Sequence, residues 1–355
     1  MYLEQLSNAF GPSGAEGEVR KIIIDAVKPV ADDWRVDPMG NLFVTRNRRL
    51  DAPGRPLRVM VTAHMDEVGF LITRIKSDGQ LKFEPIGGFD PRVLLGKAVA
   101  VGRERVPGVI GVKPIHLLTA GEYSRVKDLS GMTIDVGASS SSNARVQPGD
   151  SATFATKFGY LGGQSRRRTD RGRVKGKAFD NRAGCAILIE LLRGDYPVDV
   201  VGVFTVQEEV GLRGARVAAF AAEPDVALVL ESTAADDLPQ LDEDAEAGLP
   251  RLGDGPAITV MDNRFIADRR LVDLLIATAG AESLPYQFKR PGIGGTDAGA
   301  IHLTRAGVPS VVVSVPTRFI HSPAAVLELA DFWAAKKLVA AALSRLPQQE
   351  WLNIV

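Results

Sequence analysis

With 355 residues the chain is longer than one typical domain, so its length predicts two domains. Its apolar share of 45% and charged share of 24% are normal for a globular protein and exclude a disordered one. Basic and acidic side chains number 43 each, which excludes a protein held on nucleic acid or on an anionic membrane by an overall basic excess.

The cysteine content and the N-terminus predict a cytoplasmic protein. The single cysteine, Cys185, excludes an intrachain disulfide and fits a reducing compartment. No apolar run approaches the roughly 20 residues that span a bilayer, and the N-terminus lacks the regions of a secretion signal. A basic run at residues 166–177 has no interleaved aromatic residues, so we predict a solvated connecting segment and no nucleic-acid partner.

The first 64 residues predict a helix followed by two strands. Apolar side chains recur at helical spacing from Val19 to Val27 within "GAEGEVRKIIIDAVKPV". Apolar runs follow at residues 40–46 and 57–64, and the second reads "LRVMVTAH". A run of this kind is typical of a strand that is buried on both faces.

The pattern changes between residue 70 and about residue 165. Short strand-like runs are separated by turn residues, for example "FLITRI" and "LKFEPI" on either side of "SDGQ". Only "LLTAGEYSRVKDL" has a helical pattern. We therefore predict a small β-barrel, residues 70–165, inserted into a larger domain formed by residues 1–69 and 166–355.

Strands and helices alternate again from about residue 175. A predicted helix ends at Gly194, and apolar strands follow at residues 198–209, 225–233 and 308–317. Ser322 as N-cap and a proline at the next position predict that the final long helix begins there. This alternation predicts an α/β fold, with a mixed, largely parallel sheet flanked by helices.

Titratable residues collect at the carboxyl ends of the predicted strands, where ligands bind in open α/β sheets. In chain order, these positions and the start of one helix carry His64, Asp66, Glu67, Asp180, Glu208, Glu209, Glu231 and His321. Clustered carboxylates would repel one another without a compensating cation. The pattern therefore predicts a site for divalent metal ions.

The ligand types indicate which metals suit the site. Imidazole and carboxylate without thiolate favour zinc, cobalt or manganese over a structural zinc site. The candidate ligands are His64, Asp180, Glu209, Glu231 and His321. One catalytic zinc needs fewer ligands, whereas two metals that share a bridging carboxylate would use all five.

The remaining acids have separate predicted tasks. Asp66 is two residues from His64 and can accept the second ring N–H, which fixes the imidazole tautomer. Glu208 and Glu209 are adjacent and point in different directions from an extended chain. One of the two can bind metal while the other stays free as a base.

Several motifs resemble those of the M42 metallo-aminopeptidases, which include the glutamyl aminopeptidases and the tetrahedral TET peptidases. These motifs are "GPSGAEGEVR", "AHMDEVGF", "GKAFDNRAGCA", "TVQEEVGLRGA", "GIGGTDAGAIHLTRAGVPSVVVSVPTRFIHSP" and, in the insert, "EPIGGFDPRVLLGKAV" and "GVIGVKPIHLL". The resemblance runs from about residue 5 to 335. It implies a zinc-peptidase-like domain that removes the N-terminal residue of short peptides, and a PDZ-like barrel for dimerisation. It also implies a tetrahedral homododecamer whose active sites face an interior cavity.

The resemblance also implies a role for each candidate ligand. Asp180 would bridge two zinc or cobalt ions. His64 and Glu231 would complete one site. Glu209 and His321 would complete the other.

The same resemblance implies the roles of two further acids and shows two departures. Glu208 would be the general base, and Asp66 would orient His64. Many relatives have Asp where Glu231 stands, which changes the reach of that ligand. An acid is also common where Asn181 stands, so the charge near the bridge differs here.

Substrate contacts are predicted at Gly294, Gly295, Asp297 and Arg318. The loop "GIGGTDAG" either approaches the substrate backbone or makes a tight turn, and both interpretations stay open. An alternative function is a metal-dependent deacylase or carboxypeptidase, for which Arg318 is the candidate carboxylate clamp. A further alternative is a peptide-binding protein with a vestigial site, although all five ligand positions and the base are present.

Overall fold

The structure is a computed structural model that describes residues 1–46, 57–123, 125–162, 172–238 and 249–346. Residues 166–171 of the predicted connecting segment lie outside these ranges, as does the predicted domain boundary between residues 165 and 166. No helix in the described ranges combines the length and the apolar character that a bilayer crossing requires.

Helices and strands alternate at both ends of the chain, and short strands dominate its middle. Within the described residues the helices are α1 (Tyr2–Asn8), α2 (Gly17–Val27), α3 (Ala120–Tyr123), α4 (Phe179–Leu191), α5 (Arg213–Ala222), α6 (Arg269–Ala281), α7 (Ala298–Ile301) and α8 (Leu329–Arg345). Short 3₁₀ helices lie at Pro91–Val93, Ile115–Leu117 and Leu129–Gly131.

The strands of the described residues fall into two groups. The first group, in the larger unit, is β1 (Asp33–Val36), β2 (Leu42–Arg46), β3 (Arg58–His64), β10 (Gly159–Tyr160), β11 (Arg173–Gly176), β12 (Asp199–Thr205), β13 (Val226–Ala234), β14 (Ala257–Thr259), β15 (Gln287–Phe288), β16 (Ser310–Arg318) and β17 (Ala325–Glu328). The second group is β4 (Gly69–Ile75), β5 (Leu81–Ile86), β6 (Ala98–Val101), β7 (Val106–Ile110), β8 (Ile134–Asp135) and β9 (Ser151–Phe154).

The first group forms a mixed sheet with a parallel centre. Among the described strands the order is β1-β2-β12-β3-β13-β16-β17-β11-β10, and β14 and β15 extend from β16. The neighbours β12, β3, β13 and β16 pair in parallel, whereas β1, β2, β17, β11 and β10 pair antiparallel at the edges. The predicted mixed, largely parallel sheet is confirmed.

Both faces of this sheet are covered, which explains why the central strands are apolar without alternation. On one face α4 and α8 pack on the sheet, and α1, α2 and α6 pack against them. On the other face α5 and α7 form a second apolar layer. From its second residue onwards, every side chain of β3 and of β12 is buried.

The second group forms the predicted barrel, and its strands span residues 69–154. β10 lies within the predicted range 70–165 but pairs with β11 in the mixed sheet. The barrel closes in the order β4-β5-β8-β7-β6-β9, so no strand edge is left open in this ring. Its core contains Phe70, which packs edge-on against Phe83 and Phe154 with ring centroids 5.0 and 5.5 Å apart. In the described part of the predicted helical segment, the α-helix is limited to the single turn α3, and a 3₁₀ helix overlaps each end of the segment.

The prediction for the start of the final helix was wrong. The helix begins at Leu329, where the Glu328 side chain accepts a hydrogen bond from the amide of Ala330. The residues before it form β17, which pairs antiparallel with both β16 and β11. The Ser-Pro signal is local, whereas the open edge of β16 offers backbone partners to the β-branched and apolar residues that follow.

Candidate metal centre

The central strands bring the titratable residues to one edge of the sheet. His64, the last residue of β3, lies opposite Thr205, the last residue of β12. Glu231 lies in β13, on the other side of β3. Glu208 and Glu209 lie in the loop that follows β12, so they lie at the same edge.

Asp180 lies at the centre of this cluster and contacts both histidines. Its Oδ1 is 3.0 Å from Nε2 of His64, and its Oδ2 is 3.3 Å from Nε2 of His321. The residue is at the start of α4, but Asp180 and Asn181 have non-helical backbone angles. The carboxylate therefore extends from the helix end and offers one oxygen to each side.

Each histidine also contacts a glutamate of its own. Nε2 of His64 is 3.3 Å from Oε1 of Glu231, and Nε2 of His321 is 3.3 Å from Oε2 of Glu209. Two groups of potential ligand atoms result, and they share Asp180; within each group the atoms lie within 4.8 Å of one another. Among the described residues His64, Glu208 and Glu209 form a third group that meets the same distance.

Asp66 lies behind the cluster and is fully buried. Its carboxylate accepts hydrogen bonds from the amides of Glu208 and Glu209, at 3.0 and 3.2 Å, and from Oγ of Ser13, at 2.6 Å. Nδ1 of His64 lies 3.3 Å from Oδ1 of Asp66 and 3.2 Å from its backbone carbonyl. Asp66 thus connects the ends of β3 and β12 to the N-terminal "GPSG" segment.

Burial makes this cluster electrostatically costly. Burial raises the pKa of Glu209 to about 8 and that of Glu231 to about 7, although the nearby histidines lower both. Burial lowers the pKa of His321, but Asp180 and Glu209 outweigh it and raise that pKa to about 9. The pKa of Asp180 is lowered, because its contacts with the two histidines outweigh burial.

Two buried carboxylate oxygens indicate that a cation fits here. Within the described residues, Oε1 of Glu209 and Oε2 of Glu231 are buried and have no hydrogen-bond partner. Such oxygens are rare in native proteins, and a bound ion would supply the partner that each of them lacks. The donor set is imidazole nitrogen and carboxylate oxygen, which zinc, cobalt and manganese accept. The residues present therefore fit a divalent metal centre.

Glu208 differs from its neighbour Glu209. Its Oε2 is 3.9 Å from Nε2 of His64, farther than the oxygens of Asp180 and Glu231, which lie 3.0 and 3.3 Å from the same nitrogen. Its side chain is 11% exposed, against 4% for that of Glu209. Burial raises the pKa of Glu208 well above the usual value, and Glu231 adds to this effect while His64 opposes it. A carboxyl with a raised pKa is suited to accept and return a proton.

A buried ionic network next to the centre was not anticipated from the sequence. Nζ of Lys177 donates to both carboxylate oxygens of Glu67, at 2.7 and 2.8 Å, and Nη2 of Arg182 donates to Oε1 at 3.2 Å. Burial lowers the pKa of Lys177 to about 8, although Glu67 opposes this effect. Lys177 and Arg182 lie on either side of Asp180 in the chain, so the network holds the segment that carries Asp180. No spacing rule links Glu67 to partners more than 100 residues away.

Two other residues near the centre have structural roles. The side-chain amide of Asn181 donates to the carbonyl of Leu230 at 2.8 Å and accepts from the amide of Gly184 at 3.0 Å. It therefore anchors α4 to β13. Cys185 is fully buried, and burial raises its pKa to about 12, so its thiol is unsuited to act as a nucleophile.

The predicted substrate residues fall into two groups. Gly294 and Gly295 are exposed, in the loop before α7. Asp297 is buried in the same loop, where its Oδ2 accepts from Oγ1 of Thr205 at 2.6 Å. Arg318 is paired with Asp237 through two hydrogen bonds, one of them 2.7 Å from Nη2 to Oδ2.

Comparisons with known proteins agree with one another. The sequence profile described as M42 glutamyl aminopeptidase matches residues 40–338. A putative aminopeptidase of Acetivibrio thermocellus is 36% identical over 345 residues, which cover 96% of this chain and 97% of that protein.

Solved structures show the same fold over nearly the whole chain. A TET aminopeptidase from the marine sediment archaeon Thaumarchaeota archaeon SCGC AB-539-E09 has a TM-score of 0.88 and 37% identity, covering 97% of this chain and 96% of that one. The TET1 peptidase of Pyrococcus horikoshii has a TM-score of 0.81 and 34% identity, covering 96% and 97%. That peptidase is described as assembling into a tetrahedron or a large octahedral shell.

Proposed function

The chain belongs to the M42 glutamyl aminopeptidase family and is a peptide hydrolase, and from this premise we propose that it removes the N-terminal residue of short peptides at a dinuclear metal centre. The proposed ligands are His64, Asp180, Glu209, Glu231 and His321. The cofactors would be two divalent ions, zinc or cobalt, in each subunit.

The arrangement of Asp180 carries this proposal. Its two oxygens face two different histidines, and each histidine has its own glutamate. A mononuclear site needs only one of these groups. The glutamate of the other group would then keep a buried carboxylate oxygen without a partner, although a histidine lies beside it. Two ions that share Asp180 account for both groups at once.

Different protein groups have different roles in the proposed hydrolysis. Two bound ions would polarise the scissile carbonyl and lower the pKa of an attacking water to about 7. Glu208 accepts the proton of that water and returns it to the leaving amine. Asp66 holds the amides of Glu208 and Glu209 and the ring of His64, so base and ligands keep fixed positions.

Arg318 bears on the alternative of a carboxypeptidase or deacylase. Such an enzyme needs a guanidinium that is free to bind a substrate carboxylate. Here the guanidinium is already paired with Asp237, and the carboxylate of Asp237 also accepts the amide of Leu252. This pairing favours the aminopeptidase, and the substrate roles of Gly294, Gly295, Asp297 and Arg318 stay predictions.

The assembly is proposed from the relatives. The TET1 structure is described as a dodecamer, and we propose that this chain forms a tetrahedral homododecamer built from dimers. In this proposal residues 1–69 and 166–355 are the catalytic domain, and residues 70–165 are the PDZ-like dimerisation domain. A cytoplasmic location stays a prediction from the sequence.

A comparison of free and blocked substrates tests the proposed function. The zinc-loaded and the cobalt-loaded protein should hydrolyse a panel of free aminoacyl chromogenic substrates and dipeptides, and should leave their N-acetylated forms intact. A chelator should abolish hydrolysis, and added metal should restore it. Equal rates on free and acetylated peptides would contradict the aminopeptidase and favour a deacylase or carboxypeptidase.

A further inference from the structure

One turn of the inserted barrel reaches the candidate metal centre. Gly87 and Gly88, the 87–88 turn, connect β5 to the first 3₁₀ helix. The carbonyl oxygen of Gly88 lies 3.2 Å from Nδ1 of His321. We propose that the 87–88 turn positions His321 for metal binding, and that the barrel is thereby a working part of the metal centre. This inference rests on the proposed function.

The contact acts on the tautomer and the orientation of His321. When Nδ1–H donates to the Gly88 carbonyl, the lone pair of Nε2 is left free for a metal. Nε2 then faces Asp180 and Glu209, at 3.3 Å from each. The side chain of His321 is 36% exposed, so burial alone does not hold its ring in place.

The two histidines are therefore held by different parts of the chain. His64 lies opposite the carbonyl and carboxylate of Asp66, two residues away in the same segment. His321 depends on a carbonyl 233 residues away, in the barrel. Displacement of the 87–88 turn should consequently weaken one metal site and leave the other intact.

The 87–88 turn is fixed from both sides. The next residue, Phe89, stacks on Phe70 in the barrel core, with ring centroids 5.0 Å apart, and meets Phe154 at 5.7 Å. On the other side Gly87 has φ of 81°, and a methyl group added to it would lie 2.7 Å from Cγ1 of Val68. The same methyl would lie 3.5 Å from Cβ of Glu209. The turn is therefore packed between the barrel core and the centre.

Gly87→Ala tests the proposal, because its methyl group must displace the turn. Gly96→Ala is the matched control: Gly96 is also in the barrel and has φ of 73°, but an added methyl group meets no atom within 4 Å. Co²⁺ binding to the metal-free proteins is followed by absorption spectroscopy and by dialysis. His64→Ala and His321→Ala serve as references for the spectrum of each single site. The wild type must first bind two ions; a lower count would refute the dinuclear centre itself and is thereby distinguished from failure of this proposal.

We expect Gly87→Ala to lower the affinity for one of the two Co²⁺ ions by about 10-fold or more. This is the range found when an outer partner of a metal ligand is lost. The remaining spectrum should match that of His321→Ala. The affinity for the other ion should change by less than about twofold. The affinities for both ions should also change by less than about twofold in Gly96→Ala. Equal weakening of both ions, or of neither, in Gly87→Ala would overturn the proposal.

Phe89→Leu provides a second route if Gly87→Ala does not fold. It removes ring stacking in the barrel and changes no residue of the centre. The Co²⁺ affinity of the His321 site should fall, by a smaller factor than in Gly87→Ala, while the His64 site keeps its affinity. An unchanged His321 site in Phe89→Leu, or a change shared by both sites, would overturn the proposal as well.

Discussion

Glu208 and Glu209 are neighbours in the chain, yet they face different partners. Oε2 of Glu209 is 3.3 Å from the ring of His321, whereas the nearest histidine nitrogen to Glu208 is 3.9 Å away. Both backbone amides donate to the same carboxylate, that of Asp66. A shared anchor with divergent side chains suits the proposed roles of Glu209 as a metal ligand and Glu208 as a proton carrier.

Glu208→Gln and Glu209→Gln form a matched pair that tests this separation. We expect Glu208→Gln to lower kcat by about 10²–10⁴-fold with two metal ions still bound, because only the proton transfer is lost. Glu209→Gln should lose one of the two ions. Kinetics on a free aminoacyl substrate and metal analysis of the same samples provide the readout. An active Glu208→Gln variant, or one with fewer ions than the wild type, would show that the base is wrongly assigned.

The sequence predicted which side chains lie together at the candidate centre better than it predicted their surroundings. His64, Glu209 and Glu231 were expected together because the ends of neighbouring parallel strands meet at one edge of a sheet. The contact of the Gly88 carbonyl with His321 was not expected. Every residue has a backbone carbonyl, and only the fold determines which of them lies beside His321. Lys177 was also missed, because its pairing with Glu67 joins segments 110 residues apart.

At the scale of elements, β3, the segment before α4 and the N-terminal segment meet at the buried network of Glu67, Lys177 and Arg182. Nη1 of Arg182 donates to the carbonyl of Leu6 at 2.6 Å, and Nζ of Lys177 donates to that of Ala9 at 2.6 Å. The network therefore also ties the end of α1 to the segment that carries Asp180.

We expect Glu67→Gln to lower the free energy of unfolding by about 3–5 kcal/mol, because it leaves two buried cations without their anion. Asp25→Asn is the matched control, since Asp25 makes an exposed ion pair with Lys21 on α2. That change should cost less than about 1 kcal/mol. Urea unfolding at one fixed protein concentration measures both. Equal costs for the two variants would contradict the predicted role of the network.

A pH effect on stability is expected at the start of α8. Burial raises the pKa of Asp331 to about 6, although the amides of Gly253 and Gly255 oppose this effect. The unfolded chain has an Asp pKa of about 3.9, so the folded protein binds the proton more tightly. The contribution of the protonated Asp331 to the free energy of unfolding is therefore fully present below pH about 4, and it is lost as the pH rises through about 6.

Asp331→Asn isolates this contribution. The difference in unfolding free energy between wild type and variant should fall by about 2 kcal/mol between pH 4 and pH 6.5. Other titrating groups are common to both proteins and cancel in that difference. A difference that stays constant, or that grows with pH, would contradict the raised pKa.

Local signals predicted the elements well where they agreed with the tertiary structure. Continuous apolar runs predicted β3, β12, β13 and β16, because strands covered on both faces need no polar alternation. The start of α8 was predicted too early, because Ser322 and Pro323 form a local start signal. The open edge of β16 leaves no signal in the sequence near these residues. The pairing of β17 with that edge decided the outcome.

At the scale of the whole molecule, a barrel is inserted between β3 and the later strands of the sheet. The change from long apolar runs to short runs with turn residues predicted it, because short strands need closure to remove their edges. The assembly of several chains leaves no comparable pattern in one sequence. It was expected only from the resemblance, and it stays a proposal.

The proposed dodecamer has a measurable mass. Twelve chains of 38.0 kDa would give about 456 kDa. Light scattering coupled to size-exclusion chromatography should find this species at micromolar concentration. Only single chains or dimers at every concentration would contradict the tetrahedral assembly, while leaving the metal centre untouched.

Anomalous X-ray scattering from crystals grown with saturating zinc shows whether Asp180 joins two ions. We expect two full peaks about 3.5–4 Å apart in each subunit, as in other two-metal sites, with one oxygen of Asp180 directed at each. A single peak, or two peaks that Asp180 does not join, would contradict a dinuclear centre built on this residue.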